Sequence, residues 1–260
     1  MARRKRQQLI ACLLVLLCTA TFPTLSLADD AGLIASIGAS HKFNKKLSVG
    51  AELEFRSRND FRTADRISLG LSGAYKPLKW LKLDAGYQLL IDNNIEKITY
   101  NEPTIDDDGL EVINYNNWRP SYWGLRHRVF ASVTGSYKIG RVELSIRERW
   151  RLTYRPQKTT TRYDFDNQQW EDTQVRSKTQ NILRSRFKVD WDIPNCKVDP
   201  WASVEVFNNS ILDKVRYSLG ADYSIQKRHV FSAYYRYQRI YNDDEEGNAH
   251  YLGLSYTFKF

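Results

Sequence analysis

The chain has 260 residues, with 39 basic and 30 acidic side chains and a formal net charge of +9. Its mean hydropathy of −0.56 excludes a bundle of transmembrane helices. With 16 Tyr, 11 Phe and 7 Trp against only 7 Pro, the composition suits long twisted strands.

The first 28 residues read as a processing segment. Arg3, Arg4, Lys5 and Arg6 precede an apolar run from Leu9 to Leu17, and Ser26-Leu27-Ala28 places small residues where a signal peptidase reads. The run is too short to span a membrane. Cys18 follows Leu17, a residue too large for lipoprotein processing. A cleaved secretory signal is therefore expected over 1–28, and a single domain over 29–260. Its removal leaves 35 basic against 30 acidic residues, a net charge of +5 that calls for no nucleic-acid partner. Cys12 and Cys18 leave with it, so Cys196 stands alone and no internal disulfide is possible.

From residue 33 onward one unit recurs, an alternating stretch followed by a polar break. Leu33 to Ala39 and Leu47 to Phe55 come first, joined at Asn44-Lys45-Lys46. After a break at 57–65, Ile67 to Tyr75 and Leu81 to Ile91 follow, joined at 76–79. An acidic and aromatic insertion covers 93–124. Val129 to Tyr137 and Val142 to Tyr154 then meet at 138–141, and a second insertion covers 156–179. Leu183 to Trp191, Ala202 to Val206, Val215 to Tyr223 and Phe231 to Tyr237 lead to the last stretch, Ala249 to Phe260. Period two held over ten or more residues predicts strands throughout.

Two regularities choose between architectures. Connections alternate between short and long, as the tight turns and longer loops at the two ends of an outer-membrane barrel do. The non-apolar face is charged rather than merely hydrophilic, so lipid suits the apolar face and a wet or ion-paired lumen suits the other. The expected fold is all-β, an antiparallel up-and-down transmembrane β-barrel of outer-membrane type. Eleven alternating segments are visible, but a barrel with both ends in the periplasm needs an even number. Twelve strands are therefore expected, with ten as the alternative.

The charged face aligns Arg126, Arg128, Arg147, Arg149, Arg151, Arg184, Arg186, Arg216 and Arg236, with Arg66 beside them. Glu52, Glu54, Glu143 and Glu205 share that face with Asp84, Asp190 and Asp222. Buried ions must pair or stay wet, so these residues are candidates either for a structural ion-pair network or for an anion-attracting ligand site. Arg suits both, because its fork binds carboxylates and phosphates in bidentate fashion. Arg147-x-Arg149-x-Arg151 is the densest run. Glu148 falls on the lipid-facing parity without an account.

Catalysis is not expected. His41, His127, His229 and His250 have no Ser or acid at a fixed reach, and Ser255 points away from His250. No metal-ligand spacing, glycine-rich phosphate loop or nucleophile elbow is present, so neither metal nor cofactor is expected. The acidic clusters 106–108 and 243–246 lack calcium-loop spacing and read as solvated loop tips.

Arg147-Glu148-Arg149-Trp150-Arg151, Glu205-Val206-Phe207, Arg216-Tyr217-Ser218-Leu219-Gly220 and Tyr235-Arg236-Tyr237-Gln238 resemble one family, together with the terminal His250-x-x-Gly253-Leu254-x-Tyr256-x-Phe258-x-Phe260. It is the uncharacterised Gram-negative group called domain of unknown function 2490. The resemblance implies an outer-membrane β-barrel with no assigned activity. Tyr256, Phe258 and Phe260 also look like the signal read by the barrel-assembly machinery, which would be an insertion partner. Outer-membrane lipid and lipopolysaccharide are the expected surroundings. Two function classes stay open: a small-solute channel, porin-like, with an Arg-lined lumen, or a closed barrel acting through its loops. An outer-membrane hydrolase is the third.

Overall fold

Alternating apolar and charged residues with almost no proline favour extended chain, and the computed structural model is built of strands joined by turns. It describes residues 29–105, 110–242 and 247–260. The expected signal over 1–28 and the acidic clusters 106–108 and 243–246 lie outside the described residues. The first strands are β1 (Asp30–Lys42), β2 (Leu47–Arg58), β3 (Thr63–Leu78) and β4 (Leu81–Asn94). An insertion adds β5 (Lys97–Tyr100), β6 (Thr104–Ile105), β7 (Glu111–Val112) and β8 (Tyr115–Arg119). Then come β9 (Tyr122–Ile139), β10 (Val142–Arg155), β11 (Lys158–Asp164), β12 (Gln169–Val175) and β13 (Lys178–Trp191). The chain ends with β14 (Val198–Asn209), β15 (Ile211–Ile225), β16 (His229–Ile240) and β17 (Ala249–Lys259).

Eleven of these close a barrel in the order β1-β17-β16-β15-β14-β13-β10-β9-β4-β3-β2. The expected count of twelve, and the alternative of ten, is corrected to eleven. Evenness is required only when the first and last strands run in opposite directions. Here β1 and β17 run the same way and pair in parallel from Asp30↔Ala249 to Ser40↔Lys259. Every other neighbouring pair in the barrel is antiparallel. The parallel ladder is slightly weaker per residue. It is backed from inside by the buried cluster Ile34, Ala249 and Tyr251, with the Arg56 guanidinium 5.6 Å from the Tyr251 ring centroid.

The connections sort to the two ends, with one revision. The expected long break at 57–65 is a tight turn, because β2 continues to Arg58 through a bulge after Arg56. Asn59, Asp60 and Phe61 all take positive φ there. The large insertions do contain strands, but these stay out of the barrel wall. β12, β11, β8 and β5 form a separate four-stranded sheet at the long-hairpin end, and β6 pairs with β7 alone. Rings line one face of the larger sheet, including Trp118 and Trp170 at 5.6 Å and Tyr163 and Trp170 at 5.4 Å. At its turn, the backbone N–H and side-chain amide of Asn167 donate to Asp164, as does the N–H of Asp166, holding that carboxyl below its ordinary range.

Polarity is inverted relative to a water-soluble barrel. On the outer face Leu53, Leu71, Ile146 and Leu254 are 48–59% exposed, whereas Glu205 inside is 2% exposed and Asp92 4%. Inside, glycines sit directly opposite aromatic rings. The register sets Gly32 against Tyr251, Gly86 against Phe130, Gly220 against Trp201 and Gly253 against Tyr234. A Cβ on Gly220 would lie 2.6 Å from Tyr234 Cβ and 2.8 Å from Trp201 Cζ2, and one on Gly253 would run into the Tyr234 ring. Rings covering bare backbone let bulky side chains fold flat against the wall, as in aromatic rescue of strand glycines. Gly253→Ala should therefore cost about 1–3 kcal/mol through overpacking. The check is a urea midpoint for the folded barrel; an unchanged midpoint would contradict the close packing.

Candidate functional site

The interior parity of the strands carries the charges, and the barrel brings them together around one elongated cavity of about 1040 Å³. Its lining runs from Glu96, Lys97 and Arg119 near the long-hairpin end to Lys188 and Asp222 near the short-turn end. All nine expected Arg residues line it: Arg126, Arg128, Arg147, Arg149, Arg151, Arg184, Arg186, Arg216 and Arg236. Glu52, Glu54 and Glu205 line it as well. Glu143 does not. It shares their parity but lies exposed beside the tight turn after β9, so its expected place in the lumen is corrected.

Carboxylates are the scarce partner. The cavity lining holds eighteen Arg and Lys side chains but eight Asp and Glu. Several interior acids consequently serve more than one cation. Near the long-hairpin end, Asp92 takes Nε–H and NH2 of Arg66 in bidentate fashion and Arg126 Nε at 2.9 Å. Arg126 also donates to Asn94 Oδ1 at 2.8 Å. Asp65 is shared by Arg58 at 3.5 Å and Arg56 at 4.0 Å. Lower down, Asp84 accepts from Arg149 NH2 at 2.9 Å and from Ser132 Oγ at 2.5 Å, while Lys82 lies at 3.7 Å.

At mid-height Glu205 Oε1 takes a hydrogen bond from Arg184 and a longer one, 3.5 Å, from Arg147. Strand register explains the crowding. Arg147 sits directly across from Arg186, Arg149 from Arg184, and Arg186 from Glu205. Like charges facing each other across a ladder are unfavourable, and the one carboxylate among them, Glu205, bonds only two of the three forks beside it. Arg151 and Arg186 make no ion pair with a described residue, and the buried Nε–H groups of Arg147, Arg151, Arg184 and Arg186 have no hydrogen-bond partner among the described residues.

A ring supplies part of the missing stabilisation through its negative face. Phe207 is completely buried. The cationic heads of Arg216, Arg184, Arg151 and Lys214 lie 4.7, 5.1, 5.2 and 5.8 Å from its centroid. Arg149 similarly lies 4.2 Å from the Phe130 ring. Each such contact contributes roughly 0.5–2 kcal/mol, more where desolvated. Neutral groups serve the remaining cations: Arg216 Nε donates to Gln238 Oε1 at 2.7 Å, Arg128 Nε to Thr153 Oγ1 at 3.0 Å and Arg236 Nε to Ser218 Oγ at 3.1 Å.

Sequence reasoning missed the roles of Phe130 and Phe207, although both fall on the charged parity of their strands. It also missed Asp213 and Lys214, which precede the stretch read as a strand: Lys214 shares the inward parity of Arg216, and the register shift at Phe207/Asn208 leaves Asp213 as the extra residue. Glu148, unexplained in the sequence, accepts from Ser185 Oγ at 2.7 Å on the outer face. The histidines stand apart from the cavity. His127 Nδ1 bonds the Tyr87 hydroxyl at 2.7 Å and His229 Nδ1 the Tyr256 hydroxyl at 2.8 Å. His250 lies between the Tyr235 hydroxyl, 2.5 Å from Nδ1, and Asp29, 3.4 Å from Nε2.

Removing a shared carboxylate strands two cations at once. Asp92→Asn should cost about 3–5 kcal/mol, the scale for breaking a buried ion pair by removing one partner. Urea unfolding of lipid-reconstituted protein, followed by tryptophan fluorescence, measures it; a midpoint equal to wild type would contradict the sharing.

No curated protein matches the chain. Among solved structures, the beta domain of the Bordetella autotransporter Brka aligns at 15% identity and TM-score 0.46, covering 81% of this chain and 78% of that one. The CymD monoaromatic hydrocarbon channel aligns at 8% identity and TM-score 0.42, covering 76% and 66%. The NanC porin aligns at 11% identity and TM-score 0.42, covering 87% and 94%. Likenesses this distant add nothing about what passes through or binds to this barrel. The family model described as Protein of unknown function (DUF2490) matches residues 33–249, and the chain belongs to that family.

Proposed function

We propose that the protein is an outer-membrane β-barrel that admits small anionic solutes through its interior. One observation carries the reading, the excess of eighteen cationic over eight anionic side chains on the cavity wall. A purely structural ion-pair network has no use for surplus charge, since each unpaired buried ion costs several kcal/mol. Surplus cations become favourable where water and mobile anions supply the balance, and a channel lined by one sign of charge concentrates the opposite ion.

The outer face supports the membrane setting. Rows of exposed Leu, Ile, Val and Phe are a liability in water but suit hydrocarbon. Tyr256, Phe258 and Phe260 stand on that face at the short-turn end, with Phe231 and His229 packed beside Tyr256, a placement that fits an assembly signal and an interfacial girdle. Lipid and lipopolysaccharide are the surroundings this face suits. The chemistry on the wall is binding and charge balance, so no enzymatic step is assigned.

Complete burial of Phe207 and Gln238 at mid-height favours a second reading, a barrel closed by its own side chains. Planar-bilayer recording under a salt gradient separates the two. The first reading predicts steps with a reversal potential on the anion side. It also predicts that Arg147→Ala/Arg149→Ala/Arg151→Ala moves the potential toward the unselective value. Absence of steps from correctly folded protein would overturn the channel.

A further inference from the structure

The mid-height cluster has more recognition chemistry than its one carboxylate uses. Arg147, Arg184 and Arg186 converge from adjacent strands on Glu205, which is almost wholly buried. Arg147 and Arg184 both bond Glu205 Oε1, Arg186 sits across from Glu205 without a hydrogen bond or close ion pair to any described residue, and Glu205 Oε2 has no hydrogen-bond partner among the described residues. Three planar forks offer far more N–H donors than two carboxylate oxygens can accept. A single negative charge also leaves the trio at a net +2.

We propose that Arg147, Arg184 and Arg186 form a binding site for a phosphate group, which Glu205 occupies from within when no solute is bound. A phosphate presents at least three oxygens to three forks and carries close to two negative charges, where a carboxylate has two oxygens and one charge. Glu205 then acts as a tethered competitor, holding the guanidinium groups in place and yielding them to an incoming anion. Phe207, against the Arg184 guanidinium, fixes the height of the cluster without spending a carboxylate.

The site extends the reading that solutes reach the interior, and its test needs no current. Isothermal calorimetry on the full chain folded in detergent compares inorganic phosphate, glycerol phosphate and acetate at matched ionic strength. Wild type should bind phosphate more tightly than acetate. Glu205→Gln should bind it at least about tenfold more tightly, having lost its internal rival, and Arg186→Gln should lose most of the binding. Binding of glycerol phosphate would extend the site to esters, and its exclusion would restrict the site to the free ion. If Glu205→Gln does not fold, the phosphate-dependent rise in melting temperature of wild type against Arg186→Gln decides. Equal effects of phosphate and acetate, or binding unchanged by either substitution, would overturn the site. Phosphate binding in a barrel that conducts nothing would overturn the channel alone, and conduction without phosphate binding would overturn this site alone.

Discussion

Arginine buried against too few carboxylates is the constraint from which the rest of this barrel follows. A guanidinium cannot shed its charge at any ordinary pH, so each one that a strand turns inward must find an acceptor, a ring or water. Asp84, Asp92 and Glu205 each serve two cations, and the Phe130 and Phe207 rings take up part of the remainder. These contacts cross from strand to strand around the wall. They tie β3, β4 and β9 through Asp92, and β10, β13 and β14 through Glu205. The lumen side chains thus brace the barrel while leaving it electrically unbalanced.

The outer surface is the complement of that arrangement. Because side-chain direction alternates, every charge turned inward commits its sequence neighbours to the outside, and most of those neighbours are apolar. The same period-two pattern therefore creates both the cationic cavity and the apolar exterior. Closure by eleven strands adds a constraint of its own. A parallel β1–β17 ladder must seal the wall, and the inner side of that seam is where Ile34, Ala249 and Tyr251 form an apolar cluster in an otherwise charged interior. Packing stands behind the ladder that is weakest in hydrogen bonding.

Much of this was legible in the residues. The alternation located all eleven wall strands and assigned inside and outside for each Arg, since a one-residue error would reverse every side chain. Strand number was not legible, because evenness was inferred from chain direction and direction depends on how the ends pair. The 57–65 break misled for a local reason: three consecutive positive-φ residues at 59–61 make a tight turn out of a stretch that reads as loop. In the site, parity found the cations but not their partners. Which carboxylate meets which guanidinium depends on strand tilt and register across the barrel, and a bulge such as that at Phe207/Asn208 can bring Asp213 to the cavity beside Lys214 unannounced. Phe207 carried a signal, an aromatic on the charged face, which marks a ring meant for cations rather than for lipid.

The central claim is that hydrocarbon covers the outer face and water fills the inner one. Single-tryptophan variants retaining either Trp150 or Trp201, folded into bilayers of brominated lipid, test it directly. Trp150 is 45% exposed on the outer wall, whereas Trp201 lines the cavity and donates to Asp222 at 3.0 Å. The expected result is strong quenching of Trp150 by the brominated chains and little of Trp201. Trp150 untouched by the lipid and quenched instead by a water-soluble agent would contradict the account.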